Sequence, residues 1–231
     1  MHSETLIIIV IFVLSTFGLI IRTATIMGIL YQHKLTTKPN QTSSGIFESL
    51  FLPNDFTNIP FTTPKDYVNQ YWDAYLASGS HDNSVNGHVF EYIIETLLIR
   101  TGVLPFYTQA IMSFVPAIKY DVMLYSEDSK GSVPYLLSLK TSFRERWKQA
   151  DLEAEALKNV HRRAKCFLLT ISSEDARDVK DKIASGEAFA IDDAIDCTSD
   201  DINSLIAKLQ AIHFIESIPN IQAVNGGHFI Q

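Results

Sequence analysis

A chain of 231 residues that is 46% apolar and 19% charged has the length and composition of one globular domain with an appendage, and is neither disordered nor fibrous. Its two cysteines, Cys166 and Cys197, have no CxxC and no histidine partner spacing, which argues against a structural zinc site or a disulfide framework and fits a reducing compartment. The net charge of −7 is uneven: residues 140–165 carry eight cations against four acids, a local excess of +4 that leaves −11 for the rest. One basic stretch in an acidic body reads either as a phosphate footprint or as a solvated helix face.

In chain order, residues 5–21 (TLIIIVIFVLSTFGLII) come first, 17 residues without a charge. As a helix they span about 25 Å, close to a hydrocarbon core of about 30 Å. Residues 1–31 are therefore expected to form a hydrophobic N-terminal helix and a candidate membrane anchor. Glu4 precedes the run, and Arg22, Lys34 and Lys38 follow it. That asymmetry places the body of the protein in the cytoplasm, tethered to the inner face of the cell membrane. The missing basic n-region argues against a signal peptide. A buried core helix and a translation start at Met27 are the alternatives. Residues 32–65, rich in Thr, Pro, Asn and Ser, read as linker and irregular structure, leaving 66–231 as the main folded domain.

Apolar residues at helical spacing predict a helix over 66–78, whose Tyr67, Tyr71, Trp72 and Tyr75 suit a core, and another over 87–101. Strands are expected at 117–125 and 133–140, joined by a polar turn over 126–132. A long helix over 142–165, a buried strand at 166–171, a helix at 173–184 opened by Ser172/Ser173, a strand at 189–191 and a helix at 199–210 complete the series. Strands interleaved with helices give an α/β (α+β) fold, a mixed central β-sheet flanked by helices.

Three residues in this frame carry chemistry. Asp121 lies within an apolar strand, where a buried carboxylate costs several kcal/mol unless it is paired or binds a metal, an effect of roughly that order. Lys140 closes the next strand, so a hairpin brings the two ions to one end of the sheet. Glu153 follows on the long helix. Two carboxylates and one ammonium suit phosphodiester hydrolysis, which needs a hard cation on oxygen ligands, an oriented water and charge stabilisation at phosphorus. A structural Asp121–Lys140 ion pair is the competing reading.

Asp121 followed by Ser138-Leu139-Lys140 resembles the PD-(D/E)XK nuclease core, with Ser138 where the second acid usually stands and Tyr120 where a proline usually precedes the aspartate. Twelve residues separate Lys140 from Glu153. That spacing is similar to the type II restriction endonucleases around EcoRII, SsoII and PspGI, which read CC/GG-containing sites and take the missing carboxylate from the next helix. Their Arg-(Glu/Asp)-Arg element is matched by Arg144-Glu145-Arg146. The resemblance is sharpest over 138–155 and extends over about 86–172.

The resemblance implies a restriction-endonuclease-like core and a Mg²⁺-dependent endonuclease that hydrolyses double-stranded DNA at a CC/GG-type palindrome. It implies Asp121 and Glu153 as metal ligands and Lys140 as the residue that positions the water. A further catalytic acid on the preceding helix is Glu91 in preference to Glu95. Arg144, Glu145 and Arg146 would read bases, since arginine forks match guanine O6 and N7 and a carboxylate accepts from cytosine N4. It also implies a homodimer, one active site per strand of a symmetric target, and a cognate cytosine methyltransferase. Trp72 is a candidate for stacking on a flipped base. His88 and His161 are expected as surface or satisfied polar residues. Two rival readings remain: a structure-specific or repair nuclease of the same core, in which the Arg-Glu-Arg unit only grips phosphate, and a non-enzymatic membrane-associated DNA-binding protein.

Overall fold

The strands in the middle of the chain organise the molecule. The computed structural model describes residues 28–39, 41–51, 54–79, 82–112, 114–115, 118–143, 146–216, 224–225 and 228–231. Strands Phe106–Met112 (β1), Tyr120–Asp128 (β2) and Gly131–Leu139 (β3) are antiparallel neighbours. The β2–β3 turn is only Ser129-Lys130. The Lys130 amide donates to Asp128 Oδ1 at 2.8 Å, and Gly131 takes φ +103°, a region that glycine enters without a Cβ clash.

β3 runs parallel to Lys165–Thr170 (β4), and β4 runs parallel to Asp193–Asp196 (β5), each parallel step passing through a helix as such crossovers require. On the outer side of β1, Val224–Asn225 (β6) and His228–Ile230 (β7) pair antiparallel at successive positions. The order is β5-β4-β3-β2-β1-β6, with β7 also on β1, and the sheet is therefore mixed.

The helices are Ile29–Gln32 (α1), Thr42–Ser49 (α2), Pro64–Ala77 (α3), Asn83–Thr101 (α4), Arg146–Val160 (α5), Ser173–Ser185 (α6) and Asp200–Gln210 (α7). Alternate strand residues feed two apolar clusters, one on each face of the sheet. Val122, Leu124, Leu137 and Leu139 meet α1 to α4 and α7, whereas Met123, Tyr125, Leu136 and Leu168 meet α5 and α6. Capping fixes where several helices begin. Thr63 Oγ1 accepts from the Asp66 amide with Pro64 at the first helical position, and Asp82 accepts from the amides of Ser84 and Val85.

The mixed sheet flanked by helices agrees with the sequence reading, but several details differ. Residues 32–65, expected as linker and irregular structure, contain α2 and send Phe47, Phe51 and Phe56 into the core beside Tyr71. Polar composition hid this because three well-spaced phenylalanines suffice to anchor a segment. The expected turn over 126–132 shrinks to two residues. β1 was missed, since FYTQAIM lacks clean alternation and is buried on nearly every side chain. The expected strand at 189–191 is instead a loop. Asp151, only 4% exposed, accepts the amides of Phe189, Ala190 and Ile191 at 3.3, 2.8 and 3.0 Å, and these groups are thereby diverted from any ladder. Pairing starts two residues later, at Asp193. The expected hydrophobic span at 5–21 lies outside the described residues. Among the described residues no helix is long and apolar enough to cross a membrane.

Hydrogen bonds to a charged acceptor contribute about 1.5–3 kcal/mol each before non-additivity. Asp151→Ala, which strands three buried amides, is expected to destabilise the fold by roughly 2–4 kcal/mol. A urea midpoint unchanged from the wild type would show that solvent replaces the carboxylate at no cost.

Candidate active site

The β2–β3 register runs from Val122↔Leu137 to Asp128↔Gly131, so one step further Asp121 stands across from Ser138. Asp121 Oδ2 accepts from the Leu139 amide at 2.7 Å and from the Lys140 ammonium at 2.8 Å. Both side chains are largely buried, at 13% and 15% exposure. Lys140 is also fixed through its backbone, whose amide donates to the Leu169 carbonyl at 3.0 Å. Burial works against the charge on Lys140, but Asp121 outweighs it, with smaller help from Glu153 and Glu91, and holds the ammonium above its ordinary range.

Strand alternation puts Ser138 on the face of Leu136, which α5 covers, and Tyr120, beside Asp121, packs in the same layer. Glu153 is carried by α5 on that side. The Tyr120 hydroxyl donates to the Glu153 carbonyl at 3.4 Å, and Gln149 Nε2 donates to Glu153 Oε1 at 2.7 Å. Burial pushes the Glu153 carboxyl up, against the opposing pull of Gln149 and Lys140.

A second pair of acids arrives from the other layer. The β1–β2 ladder pairs Tyr107↔Met123, Thr108↔Val122 and Ala110↔Tyr120, skipping the step where Gln109 faces Asp121. Gln109 there takes φ +50°, an uncommon conformation for a residue with a Cβ. Its side-chain amide donates to Glu91 Oε2 at 3.4 Å, and His88 Nδ1 lies 3.5 Å from the same oxygen. The Glu91 contact raises the pKa of His88 against the opposing effect of burial. One turn along α4, Glu95 is 3% exposed and its Oε2 has no hydrogen-bond partner. It lines a cavity of about 150 Å³ with Glu91, Gln109, Thr108, His88 and His228. Burial, then the charges of Glu91 and Asp121, push the Glu95 carboxyl well above the carboxylate range.

Of the residues expected from sequence, Asp121 and Lys140 are thus in contact, while Glu153 and Glu91 act on Lys140 through their charge. Arg144 and Glu145 lie outside the described residues; Arg146 opens α5 with an exposed side chain. Trp72 packs among the rings of Tyr75 and Phe90, with centroids 5.2 and 6.3 Å away, and is a core residue rather than part of this site. His88 is half exposed and partnered by Glu91, as expected of a satisfied polar residue, whereas the Nε2 of His161 is buried without a hydrogen-bond partner. Gln109 had no sequence signal. Glu95 had one, its place a turn after Glu91.

The basic stretch is also less free than its composition suggests. Lys158 and Lys165 pair with Asp192, Arg163 with Asp128, and Lys140 with Asp121. Lys148 lies over the Trp147 ring.

Among the described residues no three His, Cys, Asp or Glu side chains stand together as a ready metal cluster. Mg²⁺ does not need one: it commonly binds one or two carboxylates and fills the remaining positions with water and substrate phosphate. Asp121 and Glu153, hard oxygen donors that both act on Lys140, fit that requirement, as does a site with more carboxylates than cations.

No protein-family model matches the chain, and no curated protein matches it in sequence. Among solved structures the chain is similar to one described as a restriction endonuclease PspGI–substrate DNA complex, with a TM-score of 0.46 and 20% identity over 80% of this chain and 86% of that one.

Glu95 gives a testable pH signature. Its folded pKa is raised, so the folded state holds its proton more tightly than the unfolded state does. Stability is full below the ordinary carboxylate pKa and is eroded as pH rises above it toward the folded pKa. Glu95→Gln is therefore expected to raise the urea midpoint at pH 8 and to change it little at pH 4.5. Equal shifts at both pH values would rule this out.

Proposed function

We propose that this protein is a Mg²⁺-dependent endonuclease acting on double-stranded DNA. The observation that carries the reading is the Asp121–Lys140 contact at 2.8 Å at the ends of β2 and β3, with Glu153 of α5 acting on the same lysine. A purely structural ion pair has no need of Glu153 and Glu91 acting on the same lysine. Three carboxylates against one ammonium is a costly arrangement that a bound divalent cation relieves.

In this reading Asp121 and Glu153 would hold Mg²⁺, which when bound polarises a phosphoryl oxygen and lowers the pKa of a bound water. Lys140, beside Asp121 at 2.8 Å, orients the attacking water and offsets the negative charge that builds on the phosphate. Gln149 holds the Glu153 carboxylate in place, and Glu91 adds its charge from α4. Arg144-Glu145-Arg146 forms the recognition element, aimed at a CC/GG-type palindrome. A two-fold dimer then presents one site to each strand. A cognate cytosine methyltransferase and a membrane tether through residues 5–21 complete the proposal.

The test is incubation of the full chain with unmethylated plasmid DNA and Mg²⁺. Discrete fragments with ends at CC/GG sites are expected, abolished by EDTA. Lys140→Ala and Asp121→Asn are each expected to slow cleavage about 10²–10⁴-fold, the usual range for losing one group of this kind. Lys140→Ala cleaving at the wild-type rate would overturn the nuclease reading, and cleavage indifferent to CC/GG would restrict it to a nuclease without that specificity.

A further inference from the structure

A cleft of about 180 Å³ opens beside the active site between the first turn of α4 and the start of α5, lined by Asn83, Thr141, Ser142, Phe143 and Arg146. Its floor is rigid. Phe143 is 1% exposed in the core under α5, and its amide donates to Asp175 Oδ2 at 2.9 Å. Lys140 is tied to Leu169 at 3.0 Å, and the Arg146 amide donates to the Phe143 carbonyl. The rim side chains of Asn83, Ser142 and Arg146 are exposed.

Three other clefts include Glu91 and Glu95, Glu153, or Glu155, and a fourth, at Gln32, His33 and Lys34, has no acidic side chain but lies away from Lys140 in the chain. Among the described residues this one is lined by a guanidinium, a carboxamide and two hydroxyls, with no acidic side chain. In a chain of net charge −7, such a cleft favours an anion whose oxygens only accept hydrogen bonds.

Its position narrows the ligand further. Thr141 directly follows Lys140, and the Cα of Ser142 lies at most about 7 Å from that of Lys140, on the scale of the step between successive phosphates of one strand. We infer that this cleft seats a DNA backbone phosphate next to the one facing Lys140, with Arg146 supplying charge and Asn83, Thr141 and Ser142 supplying hydrogen bonds. The inference rests on the nuclease reading above and revises one part of it, moving Arg146 from the base-reading element to the backbone. Arg146 sets the register of the duplex, and sequence reading falls to Arg144 and Glu145, because phosphate contacts position whereas base contacts specify.

The test measures equilibrium binding of the full chain, with Ca²⁺ in place of Mg²⁺, to two duplexes that differ only in whether they contain CCGG. Asn83→Ala and Ser142→Ala are each expected to weaken binding about threefold to tenfold, equally for both duplexes. Arg146→Ala is expected to weaken both by more, and to lower the slope of log K against log salt by about one. Two outcomes overturn the inference. Loss confined to the CCGG duplex would mean that the cleft reads a base edge. Wild-type affinity in all three variants, with Lys140→Ala still blocking cleavage, would remove the phosphate seat and leave the nuclease reading standing. A wild-type chain that neither binds nor cuts either duplex would remove both.

Discussion

The register of the β2–β3 hairpin is the constraint on which the rest of the molecule depends. A two-residue turn at Ser129-Lys130 fixes it, and a slip of one residue would move every side chain of a strand to the opposite face. Val122, Leu124, Leu137 and Leu139 would then leave the layer of α4, and Asp121 would no longer stand across from Ser138. The same register lets one carboxylate oxygen of Asp121 take both the Leu139 amide and the Lys140 ammonium. The hydrophobic pattern and the polar site are therefore set by one choice of pairing. Removing one partner of such a largely buried pair typically costs about 3–5 kcal/mol, since it leaves the other ion without compensation.

The acids around Asp121 and Lys140 come from both layers, and the sheet has to admit them. Glu153 approaches from α5, while Glu91 and Glu95 come from α4 on the other face. The break in the β1–β2 ladder at Gln109 and Asp121 lies where the two groups converge. A complete ladder of extended residues would present a continuous wall there. The strained backbone of Gln109 turns its side chain to Glu91 instead. The consequence is a concentration of like charge in which burial and the neighbouring acids push the carboxyl of Glu95, whose Oε2 is unpartnered, well above the carboxylate range. Local strain and like-charge crowding reduce stability, and both fall within one small region of an otherwise well-packed protein.

Electrostatics outside this region follow a different logic. Half of the cations in residues 140–165 are engaged by acids of the same chain, so the segment's +4 excess does not translate into an open positive surface. Arg163 ties β4's approach to the hairpin at Asp128, and Lys158 with Lys165 secures Asp192 just before β5. These pairs hold connections in place. The cleft at Arg146 differs from those at Glu91, Glu153 and Glu155 in that, among the described residues, no acidic side chain lines it.

The sequence by itself determined the elements whose signals are local. Helix periodicity with the Ser172 cap, the two hairpin strands, and the offset from Ser138-Leu139-Lys140 to Glu153 were all readable, because each depends on neighbours within a few turns or strand steps, whereas the Asp82 cap lay in what read as a loop. That Asp121 and Lys140 come to one end of the hairpin followed from them, while their contact depended on the register that the two-residue turn fixes. Only the tertiary structure decided what depends on distant chain segments. Asp151, on α5, captures three amides 38 to 40 residues away and turns an apparent strand into a loop. Three phenylalanines turn an apparent linker into core. Gln109 faces Asp121 through a pairing that no local pattern encodes, and Glu95 becomes a buried acid only because the layers close over it. Burial and strain are properties of the packed whole, whereas propensity and spacing belong to the chain.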